Sequence, residues 1–95
     1  MYAVFVEVSA EERHTEAARE YLPRTAATGA REAGAKGGYW LAPAGGRGVS
    51  IVVFDTEEEA RNLAKRFQVG QPPMSDAPEG VVVKTVEVRE VLASV

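Results

Sequence analysis

Two segments of the chain are predicted to be β-strands that are apolar on both faces, and this property constrains the fold more than any other feature. In Val49–Asp55, aliphatic or aromatic side chains would point to both sides of the strand. In Tyr2–Val8, valines alternate with Ala3 and Phe5. Strands of this kind lie inside a sheet rather than at its edge, because both of their faces must be covered. These two segments are therefore predicted to be the central strands of one sheet.

Two further strands and two helices are predicted around them. The additional strands are Gly38–Ala42 and Val81–Val91, and the turn between the second and third strands is "PAGGRG". The order of elements is typical of the ferredoxin-like α+β fold, βαββαβ, in which a four-stranded antiparallel sheet carries both helices on one face. The 95 residues have room for one such domain, spanning residues 1–95.

Both helices are predicted to begin with a capping box, at Ser9–Glu12 and at Thr56–Glu59. Proline inside a helix removes a backbone donor and clashes with the preceding turn. Pro23 is therefore expected to kink or break the first helix near Tyr21 and Leu22.

Composition excludes several classes of site. The chain has no cysteine, so it has neither a disulfide framework nor a cysteine-based zinc site. Its formal net charge of -3 provides no basic field for nucleic acid or an anionic membrane, and neither is expected as a partner. The opening "MYAVFVEVSAEE" has no basic region and is predicted to be neither a signal peptide nor a membrane span. The expected location is cytoplasmic.

The two-sided apolar character of the central strands also predicts a partner. Two helices cover only one face of a four-stranded sheet. An exposed apolar face as large as the other one would exceed what soluble monomers usually leave in water. We therefore expect a homodimer in which the sheets of two copies pack against each other.

Two nucleotide-binding interpretations are weak. "GAREAGAKGG" has glycines and a lysine, but a helix precedes it and a strand follows it, which is the wrong context for a phosphate loop. The RNA-recognition motif shares the predicted order of elements, and "RGVSIVVF" matches part of its signature on the third strand. The positions that would stack on bases are Val49 and Ile51, which have no rings. An apolar platform of this kind fits protein better than RNA.

The candidate site residues are one histidine and five aromatic residues. His14 is the only side chain whose ordinary pKa suits proton transfer near neutral pH, although a lone histidine at a helix start is more often packed or solvated. Trp40 is the second candidate catalytic residue, and an aromatic pocket between the helices and the sheet would hold a planar substrate. The candidate substrate-binding residues are Tyr2, Phe5, Tyr21 and Tyr39. The alternative is that these aromatic residues form the core and the dimer interface. No metal site and no cofactor are expected.

The segments "YAVFVEV", "YLPRTA", "GGYWL" and "GVSIVVFDTEEEA", with the last strand, resemble the dimeric α+β barrel superfamily, which includes antibiotic biosynthesis monooxygenase-like proteins. The resemblance spans nearly the whole chain. It implies a small homodimeric, monooxygenase-like protein that binds a small aromatic or apolar organic molecule. Haem-degrading members use an asparagine on the first strand and a histidine on the second helix, and this chain has neither.

Members of the superfamily with a known reaction include cofactor-independent oxygenases, haem-degrading enzymes and small isomerases or decarboxylases, and the first of these is the candidate activity that the resemblance implies for this chain. In such enzymes the substrate itself supplies electrons to dioxygen, and the protein contributes a shaped cavity, a tryptophan and hydrogen-bonding groups. The alternative function is a non-catalytic dimeric module for ligand sensing or for interaction, since one fold serves many functions.

Overall fold

The sheet has four antiparallel strands in the order β2-β3-β1-β4, so β1 and β3 are central, as predicted. The computed structural model describes residues 1–95. Its elements are β1 (Tyr2–Ser9), a 3₁₀ turn (Glu12–His14), α1 (Thr15–Tyr21), α2 (Ala26–Glu32), β2 (Gly37–Trp40), β3 (Arg47–Phe54), α3 (Glu57–Ala64) and β4 (Val83–Glu90). The chain therefore has an α+β architecture with three α-helices, and its strand order is compatible with a ferredoxin-like fold. No helix has the length and apolar character needed to cross a membrane.

The predicted break at Pro23 is confirmed. α1 ends at Tyr21, α2 begins at Ala26, and the residues between them form turns. The carbonyl of Tyr21 accepts hydrogen bonds from the backbone N–H groups of Arg24 and Thr25 and one of 2.8 Å from the hydroxyl of Thr25, so the end of α1 is satisfied within the turn. The predicted first helix is thus two short helices.

Only one of the two predicted helix caps forms. At Thr56 the hydroxyl accepts a hydrogen bond of 3.2 Å from the backbone N–H of Glu59, as predicted, and it donates one of 3.0 Å to the carboxylate of Glu59. Ser9 instead continues β1, and its hydroxyl accepts a bond of 3.2 Å from the N–H of Val82 and donates one of 2.9 Å to the carbonyl of Gly80. The capping prediction for Ser9 was wrong because these bonds fasten the end of β1 to the segment before β4.

The turn between β2 and β3 is a two-residue hairpin. Gly45 and Gly46 both have positive φ angles, 61° and 78°, a combination that favours glycine. Ala44 and Arg47 exchange two backbone hydrogen bonds on either side of them. The twist of this turn suits antiparallel strands, so the glycines of the segment serve the hairpin.

The core lies on one face of the sheet, which we call the inner face. Its buried residues come from three strands and two helices and are Val4, Val6, Val52, Phe54, Val83, Ala30, Ala60 and Leu63. Both α2 and α3 therefore pack on the inner face. α1 contributes no buried residue. This helix does not fill the space between itself and the sheet with side chains of its own.

The opposite face, which we call the outer face, has no helix over it. Phe5, Ile51 and Tyr39 lie side by side there on β1, β3 and β2. Ala3 and Val53 form the next row. Ile51 is 38% exposed and Tyr39 is 72% exposed. The apolar outer face that the alternation of both central strands predicts is therefore present, and it is open to solvent in the single chain.

Candidate functional site

A cavity of about 580 Å³ lies between α1 and the inner face of the sheet. α1 supplies Ala18 and Tyr21 to its wall, and the preceding 3₁₀ turn supplies His14. The sheet supplies residues from β1, β2 and β3, including Val6, Trp40 and Ser50, which share the inner face by register. Most of the lining residues are hydrophobic. The site is therefore a largely apolar space with a few polar side chains on its wall.

Several of the residues that face the cavity are small, and this leaves space between α1 and the sheet. Ala18 and Ala27 are its contributions from the middle of α1 and the start of α2. On β3 the position beside Val8 is Gly48, where a Cβ atom would lie 3.2 Å from a methyl group of Val8. A larger residue at Gly48 would therefore push into the strand beside it.

Trp40 is held against the sheet by a glycine two residues earlier on the same strand. A Cβ atom at Gly38 would lie 3.3 Å from the indole ring of Trp40 and 3.3 Å from the carbonyl oxygen of Ile51. The indole is half-buried and packs against the core from the side of the cavity. Because Gly38 has no side chain, the indole ring can occupy a position that a Cβ atom there would crowd.

Three of the six predicted site residues present side chains to this cavity. His14, Tyr21 and Trp40 line it. Tyr39 also contributes to the wall, but its strand position is on the outer face and its side chain is largely exposed. Because side chains alternate across a strand, we attribute the contribution of Tyr39 to its main chain.

Tyr2 and Phe5 do not line the cavity. Tyr2 lies on the inner face beside Phe54 and packs against the buried core. Phe5 lies on the outer face between Ile51 and Glu87. The structure therefore separates these two rings from the other candidates, one into the core and one onto the open face.

The wall also includes residues that sequence reasoning did not select. Ser50 is on the inner face between buried neighbours, and Arg19 follows one turn after Thr15 on α1. Pro73 and Met74 belong to the irregular segment between α3 and β4 and close one side of the cavity. The inward position of Ser50 could have been read from the alternation of β3, whereas no signal in the sequence places the segment of Met74 over α1.

The hydroxyl of Tyr21 belongs to the cavity wall and has a raised pKa. Burial raises the pKa of Tyr21 above its ordinary value, and the negative charge of Asp76 raises it further. Tyr21 is therefore a neutral hydrogen-bonding group throughout the physiological pH range.

The raised pKa of Tyr21 predicts that the stability of the fold decreases at high pH. Because the pKa of Tyr21 is raised in the folded chain, the folded state holds the phenol proton more tightly than the unfolded state does. The free energy of unfolding therefore decreases as the pH rises above about 10. Subtracting the tyrosinate absorbance titration of Tyr21→Phe from that of the wild type is expected to give a single step with a midpoint above 10. A midpoint at or below the ordinary value would contradict the placement of Tyr21.

The site offers no ready ligand set for a metal ion. No group of three or more histidine, aspartate or glutamate side chains lies together in the structure in a way that could hold one. Every buried side-chain nitrogen or oxygen atom has a hydrogen-bond partner. The chemistry available at the cavity is thus that of His14, Tyr21 and a small number of hydroxyl and guanidinium groups.

Comparison with known proteins adds no relative. No protein-family model, curated protein or solved structure matches this chain. Membership of the dimeric α+β barrel superfamily remains a prediction from the sequence.

Proposed function

We propose that the protein binds a small aromatic or apolar organic molecule in the cavity between α1 and the inner face. The observation that carries this proposal is the cavity itself, which has a volume of about 580 Å³ and mostly apolar walls. Sites for small organic molecules usually have volumes of about 300–1,000 Å³, apolar linings and a few polar groups that fix orientation. The cavity matches all three properties.

Trp40 and Tyr21 are the residues that would hold such a molecule. The indole of Trp40 has a flat apolar surface at the cavity and is fixed from behind by its packing against Gly38. Aromatic pairs of this kind contribute about 0.5–1.5 kcal/mol beyond the apolar area that they bury. The neutral hydroxyl of Tyr21 and the hydroxyl of Ser50 would orient polar substituents of the ligand.

The catalytic form of the proposal is a cofactor-independent oxygenase that acts on a phenol. Deprotonation makes a phenol electron-rich enough to reduce dioxygen, and the imidazole of His14 at the cavity wall would accept the proton. The phenol loses two hydrogen atoms and gains one oxygen atom to form a quinone, and the second oxygen atom leaves as water. His14 would therefore be the catalytic residue, and Trp40 would position the ring.

A second candidate function is a ligand-sensing module without catalysis. One observation favours it: the cavity wall has no aspartate or glutamate, so no carboxylate of the wall orients His14 or assists it in proton transfer. Dioxygen consumption in the presence of a bound phenol separates the two. An oxygenase consumes dioxygen at a rate that falls in His14→Ala, whereas a sensor binds the phenol and consumes none.

We also propose that the working form is a homodimer joined through the outer face. The charges on that face pair within one chain, Glu7 with Arg47 at 2.9 Å and Glu87 with Arg89 at 2.6 Å. A symmetric dimer brings the same surface onto itself. A face that is apolar at its centre and neutral at its rim meets its own copy without repulsion between like charges. This arrangement would be the dimeric α+β barrel that the sequence resembles.

A fluorescence titration tests the binding proposal. N-phenylnaphthylamine, a neutral aromatic probe, is expected to quench the emission of Trp40, the only tryptophan, with saturation at one probe per chain. In Trp40→Phe the probe's own fluorescence should report binding that is about two- to tenfold weaker, since the stacking surface is reduced. Quenching that never saturates, or unchanged affinity in Trp40→Phe, would contradict the proposal.

A further inference from the structure

The titratable side chains at the cavity wall have an uneven distribution of charge. Apart from Tyr39, whose side chain lies on the outer face, they are His14, Arg19 and Tyr21, and no aspartate or glutamate is among the lining residues. The whole chain has 14 acidic residues against 11 lysines and arginines. Arg19 is the only lysine, arginine, aspartate or glutamate of the wall. The cavity is thus neutral to positive in a protein that is negative as a whole.

The one permanent positive charge of the wall is on α1. Arg19 lies in the last turn of this helix, and His14 directly precedes the helix. The guanidinium of Arg19 has one acidic partner, Glu16, at 3.4 Å, and both side chains are mostly exposed. An arginine has five N–H donors, so this single long contact leaves most of them free.

Negative charge is disfavoured at the hydroxyl of Tyr21, the last residue of the same helix. Burial and the charge of Asp76 raise the pKa of Tyr21. An anion beside this hydroxyl would meet Asp76, whereas one beside the guanidinium of Arg19 would meet a cation.

We propose that the ligand of this cavity carries one anionic group, a carboxylate, sulfonate or phenolate, which lies at the guanidinium of Arg19 while its aromatic body packs against Trp40. The inference rests on the proposed binding function and specifies its ligand class, a small aromatic acid. Arg19 sets specificity here through its charge. Because Arg19 is 68% exposed, solvent screens that charge and the expected preference is modest, about two- to fivefold in affinity.

Two probes with the same skeleton test the proposal. Anilinonaphthalene sulfonate is N-phenylnaphthylamine with a sulfonate added, so the difference between them is the anionic group. At low ionic strength the wild type is expected to bind the sulfonate about two- to fivefold more tightly than the neutral probe. In Arg19→Gln this preference should disappear through weaker binding of the sulfonate, with a much smaller change for the neutral probe.

Arg13→Gln is the matched control. Arg13 is 69% exposed, pairs with Glu11 at 2.9 Å and does not line the cavity, so the variant changes the net charge equally and should keep the preference. If the neutral probe binds but the sulfonate binds no more tightly, or if both arginine variants act alike, the inference is overturned and the binding proposal stands. If neither probe binds, both are overturned.

Discussion

Replacing Ala18 with phenylalanine is expected to abolish most binding of N-phenylnaphthylamine to the protein. Ala18 lies on α1 and lines the cavity, so a ring at this position would occupy space that the probe needs. A loss of roughly 100 Å² of apolar contact at about 25 cal/mol per Å² is about 2.5 kcal/mol, or on the order of 50-fold in affinity. Titration with the probe's own fluorescence measures this change directly.

Ala17→Phe is the matched control for this variant. Ala17 is the neighbouring alanine of the same helix, is exposed and does not line the cavity. Both substitutions therefore lower the stability of the helix by about the same few tenths of a kcal/mol. They differ in the direction in which the new ring points. Equal loss of binding in both would show that the effect comes from the helix and would contradict the location of the site.

The substitution Ile51→Glu is expected to convert the proposed dimer into a monomer at micromolar concentration. Ile51 lies at the centre of the outer face between Phe5 and Tyr39, so in a sheet-to-sheet dimer its side chain would be buried. A carboxylate placed there, together with its symmetry-related copy, would be taken out of water without a partner. Light scattering should give twice the 10.2 kDa chain mass for the wild type and the single-chain mass for the variant.

Val69→Glu is the control for the dimer variant. Val69 is 67% exposed and lies in the loop after α3, away from the outer face, so the same chemical change should leave the dimer intact. Because the cavity is on the inner face, both variants should still bind N-phenylnaphthylamine. A wild type that stays at the single-chain mass at micromolar concentration would contradict the dimer, and it would leave the binding proposal in place.

The fold could be predicted from the sequence where a local pattern decides the structure and no contact with a distant segment competes with it. The alternation in Tyr2–Val8 and Val49–Asp55 predicted two central strands, and the ring of Pro23 predicted the break between α1 and α2. Ser9 shows the limit of such signals. Its sequence pattern is the same as that of Thr56, but bonds to a segment more than 70 residues away decide its conformation.

The candidate site was predictable only in part, because the type of a residue does not give the face of the strand on which its side chain lies. Phe5 has the same position in the alternation as Glu7, opposite to the buried Val4 and Val6, so its place on the outer face could have been read from the sequence. It was instead grouped with the other aromatic residues by type. The wall formed by Met74 depends on how a loop folds back over α1, which no periodicity encodes.

The most direct test of the central claim, that the cavity between α1 and the inner face holds the ligand, is nuclear Overhauser contact between N-phenylnaphthylamine and the isotope-labelled protein. The account predicts contacts from the probe to the indole of Trp40 and to the methyl group of Ala18, with saturation at one probe per chain. Contacts confined to outer-face residues such as Phe5 and Ile51, with none to Trp40, would contradict it.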